Sequence, residues 1–319
     1  MKARRYEGRG ESFALVVNPQ AGAGRAGRLL PALEAALRGA GADFTRFTTE
    51  GPGHATELTR QALRDGASGV AVVGGDGTLG EALNGFFLSS GAPIAAGRWL
   101  GPLPAGTGGD FRRSLGMEAR APADLVRRLL LSEPRPIDCG WVEFVDAAGL
   151  PSERAFLNIA SFGLAGMVDE AIATGPKYLG GRAAYFLASV QAKARYGANR
   201  RVRLRLDGRT EEHHVLNLAV ANGRYFGGGM HIAPDARLDD GLLDVVSIER
   251  EGWLGPLALS AGLYGAGVLG RPGVRHGRGR SVSAEALPGE PPVLLDIDGE
   301  APGRLPARFD VRPGALALR

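Results

Sequence analysis

Along the first 130 residues, unbroken apolar runs alternate with stretches in which apolar positions recur every three or four residues. Phe13-Ala14-Leu15-Val16-Val17 and Gly69-Val70-Ala71-Val72-Val73 are short runs rich in β-branched residues, the pattern of buried parallel strands. Asp43 to Thr48 predicts a further strand. Arg28 to Leu37, Ala55 to Leu63 and Leu79 to Phe87 carry helical spacing and predict helices between the strands. This alternation predicts an α/β domain, a parallel sheet with helices on its faces.

The rhythm changes after Pro134-Arg135-Pro136. Strand-like runs dominate: Gly140 to Val145, Ala155 to Ala160, Val202 to Leu206, Val215 to Ala221, Leu242 to Ile248 and Val293 to Ile297. Val202-Arg203-Leu204-Arg205-Leu206 alternates apolar and basic positions, and Asp207-Gly208 is a hairpin signal. The second half therefore reads as an antiparallel, β-rich domain with helices near Arg182 to Arg195 and Trp253 to Leu269. The expected division is 1–135 for the first domain and 136–304 for the second.

At 319 residues the chain has room for two cores. A net charge of +4, carried almost wholly by arginine, is mild and does not suggest nucleic acid as a partner. The lone Cys139 excludes an internal disulfide and suits a reducing compartment. No apolar leader is visible at Met1 to Ser12, and the uncharged stretch Gly252 to Gly270 is too broken by Pro256 and glycines to suit a membrane span. A cytoplasmic protein is expected.

The most informative string is Gly74-Gly75-Asp76-Gly77-Thr78, which joins a predicted strand directly to a predicted helix. Bare backbone N–H groups and the positive end of the helix dipole make such a loop a phosphate cradle. An acidic residue there makes sense if it carries Mg²⁺ or orients a reacting hydroxyl; a plain glycine turn at a strand end is the simpler reading. Gly22-Ala23-Gly24-Arg25-Ala26-Gly27 matches GxGxxG, but Asn18-Pro19 intervenes after the strand, and Asp43 begins the second strand where a dinucleotide site needs an acidic residue at its end. A general phosphate-facing loop fits better. No GxxxxGK[ST] string occurs. Pro104 to Phe111 is another glycine-rich loop, in which Thr107 offers a hydroxyl and Asp110 a carboxylate.

In the second half, Asp298-Gly299-Glu300 ends an apolar strand and equally suits a type I′ hairpin turn. Asp239-Asp240-Gly241 has enough carboxylate to hold a hard cation, or is a solvated turn. His213 and His214 fall on opposite faces of one strand, and the histidines form no triad or metal spacing.

Taken in order, Asn18-Pro19-Gln20-Ala21-Gly22, Thr49-Glu50, Gly74 to Thr78, Pro104 to Phe111, Asn222 to Pro234, Asp240-Gly241-Leu242 and Asp298-Gly299-Glu300 resemble the diacylglycerol kinase catalytic family, which includes sphingosine kinases and bacterial lipid kinases. The resemblance implies transfer of the γ-phosphoryl group of ATP to a lipid hydroxyl, diacylglycerol giving phosphatidic acid. It implies a parallel-sheet nucleotide-binding domain, an antiparallel β-sandwich lipid domain, and a cleft between them. It places Asn18, Pro19, Gln20, Ala21, Gly22, Thr49, Gly74, Gly75, Asp76, Gly77, Thr78, Leu79, Gly80, Glu81 and Thr107 at ATP. Asp298 would be the general base, with Glu300 and Asp76 near the nucleotide and its Mg²⁺. A structural Mg²⁺ would be held by the Asp240 carboxylate and the carbonyls of Arg237 and Leu242. Residues 305–319 would return to the first domain.

Three positions depart from the family pattern. Gly80 and Gly109 stand where asparagine is usual, and Arg112 stands where the family has alanine. The implied substrate lies in a bilayer, so reversible docking at the inner membrane surface is expected, through Trp253 to Leu269 and a mobile cluster of Arg271, Arg275, Arg278 and Arg280. A homodimer is compatible with the sequence. The rival readings are an NAD kinase-like phosphotransferase, a lipid- or nucleotide-binding protein without catalysis, and, more remotely, an NAD-dependent oxidoreductase.

Overall fold

The computed structural model describes residues 12–88, 91–106, 109–117, 121–164, 166, 199–249 and 268–319. The chain divides into two compact units, the first comprising 1–137 with 314–319 and the second 138–313. The expected helices at 182–195 and 253–269 and the phosphate-facing Thr107 fall wholly or largely outside the described residues.

In the first unit the order is β1 (Phe13–Val17), α1 (Arg25–Gly39), β2 (Phe44–Thr48), α2 (His54–Arg64), β3 (Gly69–Gly74), α3 (Asp76–Asn84), β4 (Trp99–Pro104), α4 (Asp110–Ser114) and α5 (Pro122–Leu131). The strands pair in parallel as β2-β1-β3-β4. β1 and β3 are buried at every position, as expected for strands covered on both faces. One core packs Phe13, Leu15 and Val17 with Ala71, Val73 and Leu103 against Leu33 and Leu37 of α1 and Leu125, Val126 and Leu129 of α5. Because β1 leads outward to β2 and β3 leads the other way to β4, the chain reverses between β1 and β3. In open α/β sheets that reversal is where ligands bind, beyond the carboxyl ends of the strands.

The second unit is built from β5 (Arg135–Asp146), β6 (Pro151–Phe156), β7 (Ile159–Gly163), β8 (Arg200–Leu206), β9 (Arg209–Ala221), the short β10 (Tyr225–Phe226) and β11 (Met230–His231), β12 (Leu243–Glu249), β13 (Val274–Gly279), β14 (Ser281–Ala286), β15 (Leu295–Ile297) and β16 (Gly303–Leu318). Antiparallel pairing runs β13-β12-β9-β8-β14-β16. β9 forks this arrangement: its first half pairs with β8, and its second half pairs with β7, which carries β15. The layers close over Phe156, Phe162, Leu218, Leu243, Leu295 and Phe309. The alternation read at Val202 to Leu206 is realised, with Val202 and Leu204 buried and Arg201, Arg203 and Arg205 exposed.

Two expectations need correction. The returning C-terminal segment is 314–319 rather than 305–319, because the first part of β16 pairs with β14 before Ala317 and Leu318 join β4. Arg271 to Arg280 is not a mobile basic cluster. Residues 274–279 form a strand, and its arginines are engaged: Arg275 with Glu249 and Glu211, Arg278 with Asp240 and Asp244. The Asp207-Gly208 turn connects β8 to β9 as expected, and the Asp207 carboxylate also accepts the backbone N–H groups of Arg280 and Ser281.

Candidate active site

In the first unit three loops meet beyond the strand ends, and they meet backbone to backbone. A Cβ on Gly22 would lie 2.5 Å from the Ala105 carbonyl oxygen, and one on Gly106 would lie 2.6 Å from Gly75 Cα. Only glycine permits this approach. Backbone N–H groups of Ala105 and Gly106 donate to the Gly74 carbonyl at 2.8 and 3.1 Å. The N-caps of α1, α2, α3 and α4 are Gly24, Gly53, Gly75 and Gly109, so none offers a side chain to its own helix. At α3, where Gly75 leads into Asp76, Gly77 and Thr78, that leaves first-turn N–H groups available to an anion, whereas first-turn N–H groups of α1, α2 and α4 are taken by the carbonyls of Ala21 and Pro19 and the carboxylates of Glu81 and Asp76.

The side chains expected at ATP mostly hold this framework together. The Asn18 amide donates to the Thr78 hydroxyl at 3.0 Å, and its carbonyl accepts the Gln20 N–H, tying the loop after β1 to α3. Pro19 and Ala21 complete that turn: the Pro19 carbonyl accepts Gly27 N–H, and Ala21 N–H donates to Asn18. Thr49 is anchored by its N–H to Val17. Leu79 and Gly80 are buried within α3. Glu81 faces away from the phosphate loops: its carboxylate accepts Ala55 N–H at 3.1 Å and so caps α2, a helix whose own N-cap is glycine.

Asp76 has a comparable role. Its carboxylate accepts Asp110 N–H at 2.8 Å, fastening the second glycine loop to the first. Burial pushes its carboxyl above the usual range, while the backbone donors of Asp110 and Phe111 pull it down. Asp110 in turn pairs with Arg113 at 2.7 Å.

In the second unit Asp298 occupies a two-residue turn with φ 51°, followed by Gly299 at 88°. Ile297 and Glu300 exchange backbone bonds across it, so the I′-type hairpin reading and the functional reading describe the same residues. Its carboxylate accepts three successive backbone N–H groups, Leu157 at 2.7 Å and Asn158 and Ile159 at 3.0 Å each. Burial pushes its carboxyl up to about 6, against the opposing pull of those donors and of Arg154. Such a group is ionised at neutral pH yet basic enough to take a proton.

Residues that sequence reasoning gave no role build this nest. Asn222, fully buried at the end of β9, donates to the carbonyls of Leu157 and Asp138, and its N–H reaches Asn158. The Asn158 amide donates to the Tyr225 carbonyl. Asp296 accepts from Ser161 and from Gly299 N–H, pinning the turn that presents Asp298. Two signals were legible: polar residues closing apolar runs, as in Val220-Ala221-Asn222, and the place of Asn222 at the head of the Asn222 to Pro234 string. Glu300 pairs with Arg154 at 2.8 Å.

The proposed metal ligands do not fit a metal as they stand. One Asp240 oxygen accepts Leu242 N–H and the other is taken by the Arg278 guanidinium, which also reaches buried Asp244. Arg237 points its guanidinium to Asp239. A guanidinium supplies the positive charge that a cation would bring, and competes for the same lone pairs. Among the described residues no group of three His, Cys, Asp or Glu side chains is placed to hold a metal ion.

Residues 12–142 match the diacylglycerol kinase catalytic domain, and residues 158–319 match the YegS C-terminal NAD kinase beta sandwich-like domain. The chain belongs to the diacylglycerol kinase family. Within it, a Pseudomonas aeruginosa (strain UCBPP-PA14) protein named "Probable lipid kinase YegS-like" is 33% identical over 89% of this chain and 87% of its own length. A diacylglycerol kinase of Mycobacterium tuberculosis (strain CDC 1551 / Oshkosh) is 30% identical over 95% and 93%. The crystal structure of a diacylglycerol kinase from Bacillus anthracis strain Sterne superposes with a TM-score of 0.66 at 23% identity, covering 97% of this chain and 96% of that one, a likeness of fold. Membership makes this chain a lipid kinase by family. The fold pairs the α/β nucleotide-type unit with a sandwich shared in description with NAD kinases.

Proposed function

We propose that this kinase transfers the γ-phosphoryl group of ATP to the hydroxyl of a membrane lipid, with diacylglycerol as acceptor and phosphatidic acid as product. The observation that carries the reading is the Asp298 carboxylate, held by three backbone donors with its proton affinity raised toward neutrality. An alcohol attacking phosphorus must lose its proton, and Asp298 is the acceptor. The glycine loops of the first unit hold the polyphosphate through backbone N–H groups of Gly75 to Thr78, and Thr107 adds a hydroxyl. Asp76, Asn18 and Thr78 keep those loops in register. Mg²⁺ accompanies ATP and neutralises charge on the transferring group when bound. Leu157 to Ile159 orient the Asp298 oxygens, while Arg154 and Glu300 set the charge beside them.

The protein works in the cytoplasm, in phospholipid synthesis, and docks reversibly on the inner membrane surface. Among the described residues no helix is long and apolar enough to cross a membrane, which accords with access from one side. Purified protein with labelled ATP, offered diacylglycerol, monoacylglycerol, a sphingoid base, ceramide and NAD, tests the reading. Label in phosphatidic acid is expected. Label in NAD alone would favour the NAD kinase-like reading, and tight ATP binding without transfer to any acceptor would favour a binding protein.

A further inference from the structure

We propose that the second unit carries a further binding site, a cavity lined from β8, β9, β12 and β13 that takes a small neutral polyol, a molecule with several hydroxyls and no charge. The site stands apart from the phosphoryl-transfer reading and does not depend on it.

The cavity holds about 290 Å³, roughly ten times the share of one water in the liquid, which is room for about a dozen heavy atoms. Leu204 and Leu206 of β8 and Val245 of β12 give it an apolar wall. His213 of β9 and Ser247 of β12 line it too. The His213 side chain is 7% exposed and Ser247 is 2% exposed, yet His213 Nδ1 and Ser247 Oγ have no hydrogen-bond partner. The carboxylates nearest the imidazole stop short of bonding it: Glu249 Oε1 lies 3.5 Å from Nδ1, and Glu211 Oε2 lies 3.8 Å from Nε2. A buried polar group left without a partner lowers stability. Two of them on the wall of one cavity mark bonds that a ligand supplies.

The charges around the cavity decide the class of ligand. Arg275 reaches both carboxylates, Glu211 at 3.7 Å and Glu249 at 3.3 Å. Arg209 also lines the cavity, so two guanidinium groups stand against two carboxylates. His276, on the same wall, is paired with Asp244. Burial, then the charge of Arg275, hold the His213 imidazole below its usual range, so it is neutral at neutral pH. An ion entering here would give up its hydration with no net charge to receive it. A hydroxyl both donates and accepts, so it serves Ser247 and either tautomer of His213, while the carbons that carry it lie against leucine and valine. The cavity is also remote from the Asp298 nest. Glu211 and His213 lie near the start of β9, whereas Asn222 follows its end, about 30 Å away along the strand.

The test is ligand-observed NMR and calorimetric titration of the full chain with glycerol, glucose and myo-inositol, against glycerate and ethanolamine as charged probes. Saturable binding of at least one neutral polyol is expected, with movement of the His213 imidazole resonance. Ser247→Ala and His213→Leu are each expected to weaken that binding about three- to tenfold, the loss typical of one hydrogen bond. Their Tm without ligand is expected to stay level or rise, because an unpartnered buried polar group is gone. Asp298→Asn is expected to bind the polyol as wild type does. The assignment is overturned by absence of saturable polyol binding, by tighter binding of a charged probe, by an imidazole resonance that stays in place, or by unchanged affinity in both cavity variants. Loss of binding in Asp298→Asn alone overturns it in favour of the phosphoryl-transfer site.

Discussion

Asp298 sits in a left-handed conformation that asparagine accepts and most other residues resist, so Asp298→Asn tests basicity with little backbone penalty. Turnover on lipid is expected to fall at least about 10²-fold, the usual size of a general-base contribution, with ATP affinity nearly unchanged. The wild-type rate is expected to rise with pH through about 6 and flatten above it, because only the ionised carboxylate accepts a proton. The same group makes a stability prediction of opposite sense. Its folded value lies above the ordinary 3.8, so the folded protein holds this proton more tightly than the unfolded chain does. Its contribution is full below about pH 4 and lost as pH rises through about 6. Comparing urea unfolding of wild type and Asp298→Asn across that window measures it. Asp298 was legible as a strand-ending carboxylate. Its nest was not, because the donors lie about 140 positions away in sequence.

The element that most changed between sequence and structure is β13. Val274-Arg275-His276-Gly277-Arg278-Gly279 lacks a β-branched alternation, and nothing local marks it as a strand. It forms one because β12 supplies a ladder and because Asp244, Asp240 and Glu249 await its cations. Arg278→Ala would leave Asp244 buried with only His276 for company, at a cost of about 1–3 kcal/mol in urea unfolding. It would also free Asp240, so the variant's Tm is expected to respond to Mg²⁺ more than wild type does. Arg275→Ser with Arg278→Ser is expected to lower stability without changing sedimentation with anionic vesicles. The glycine loops behave differently: they were plain in the sequence because a strand, a glycine string and a helix follow one another directly. Their mutual contact was not plain, since it joins residues on three separate turns. Gly106→Ala would press a methyl into Gly75, and ATP affinity is expected to drop at least about tenfold by calorimetry.

At the scale of the whole chain, the change of rhythm near residue 135 marked where one unit gives way to the other, because parallel and antiparallel strands carry different hydrophobic patterns. The threading of β16 carried no such mark. One continuous strand completes the second unit with its first half and then lends Ala317 and Leu318 to β4, where Arg319 stacks over Trp99 at 4.6 Å. Deleting 315–319 is expected to uncover Trp99 and lower the Tm, checked by calorimetry and by Trp fluorescence. Order of synthesis adds a further consequence. The first unit leaves the ribosome early, but the strand that closes its β4 edge is translated only after the entire second unit. Until then β4 has an open flank, able to pair with any passing strand. For this chain, protection of the early-folded half is a matter of timing, set by how quickly the remaining 180 or so codons are read after residue 137.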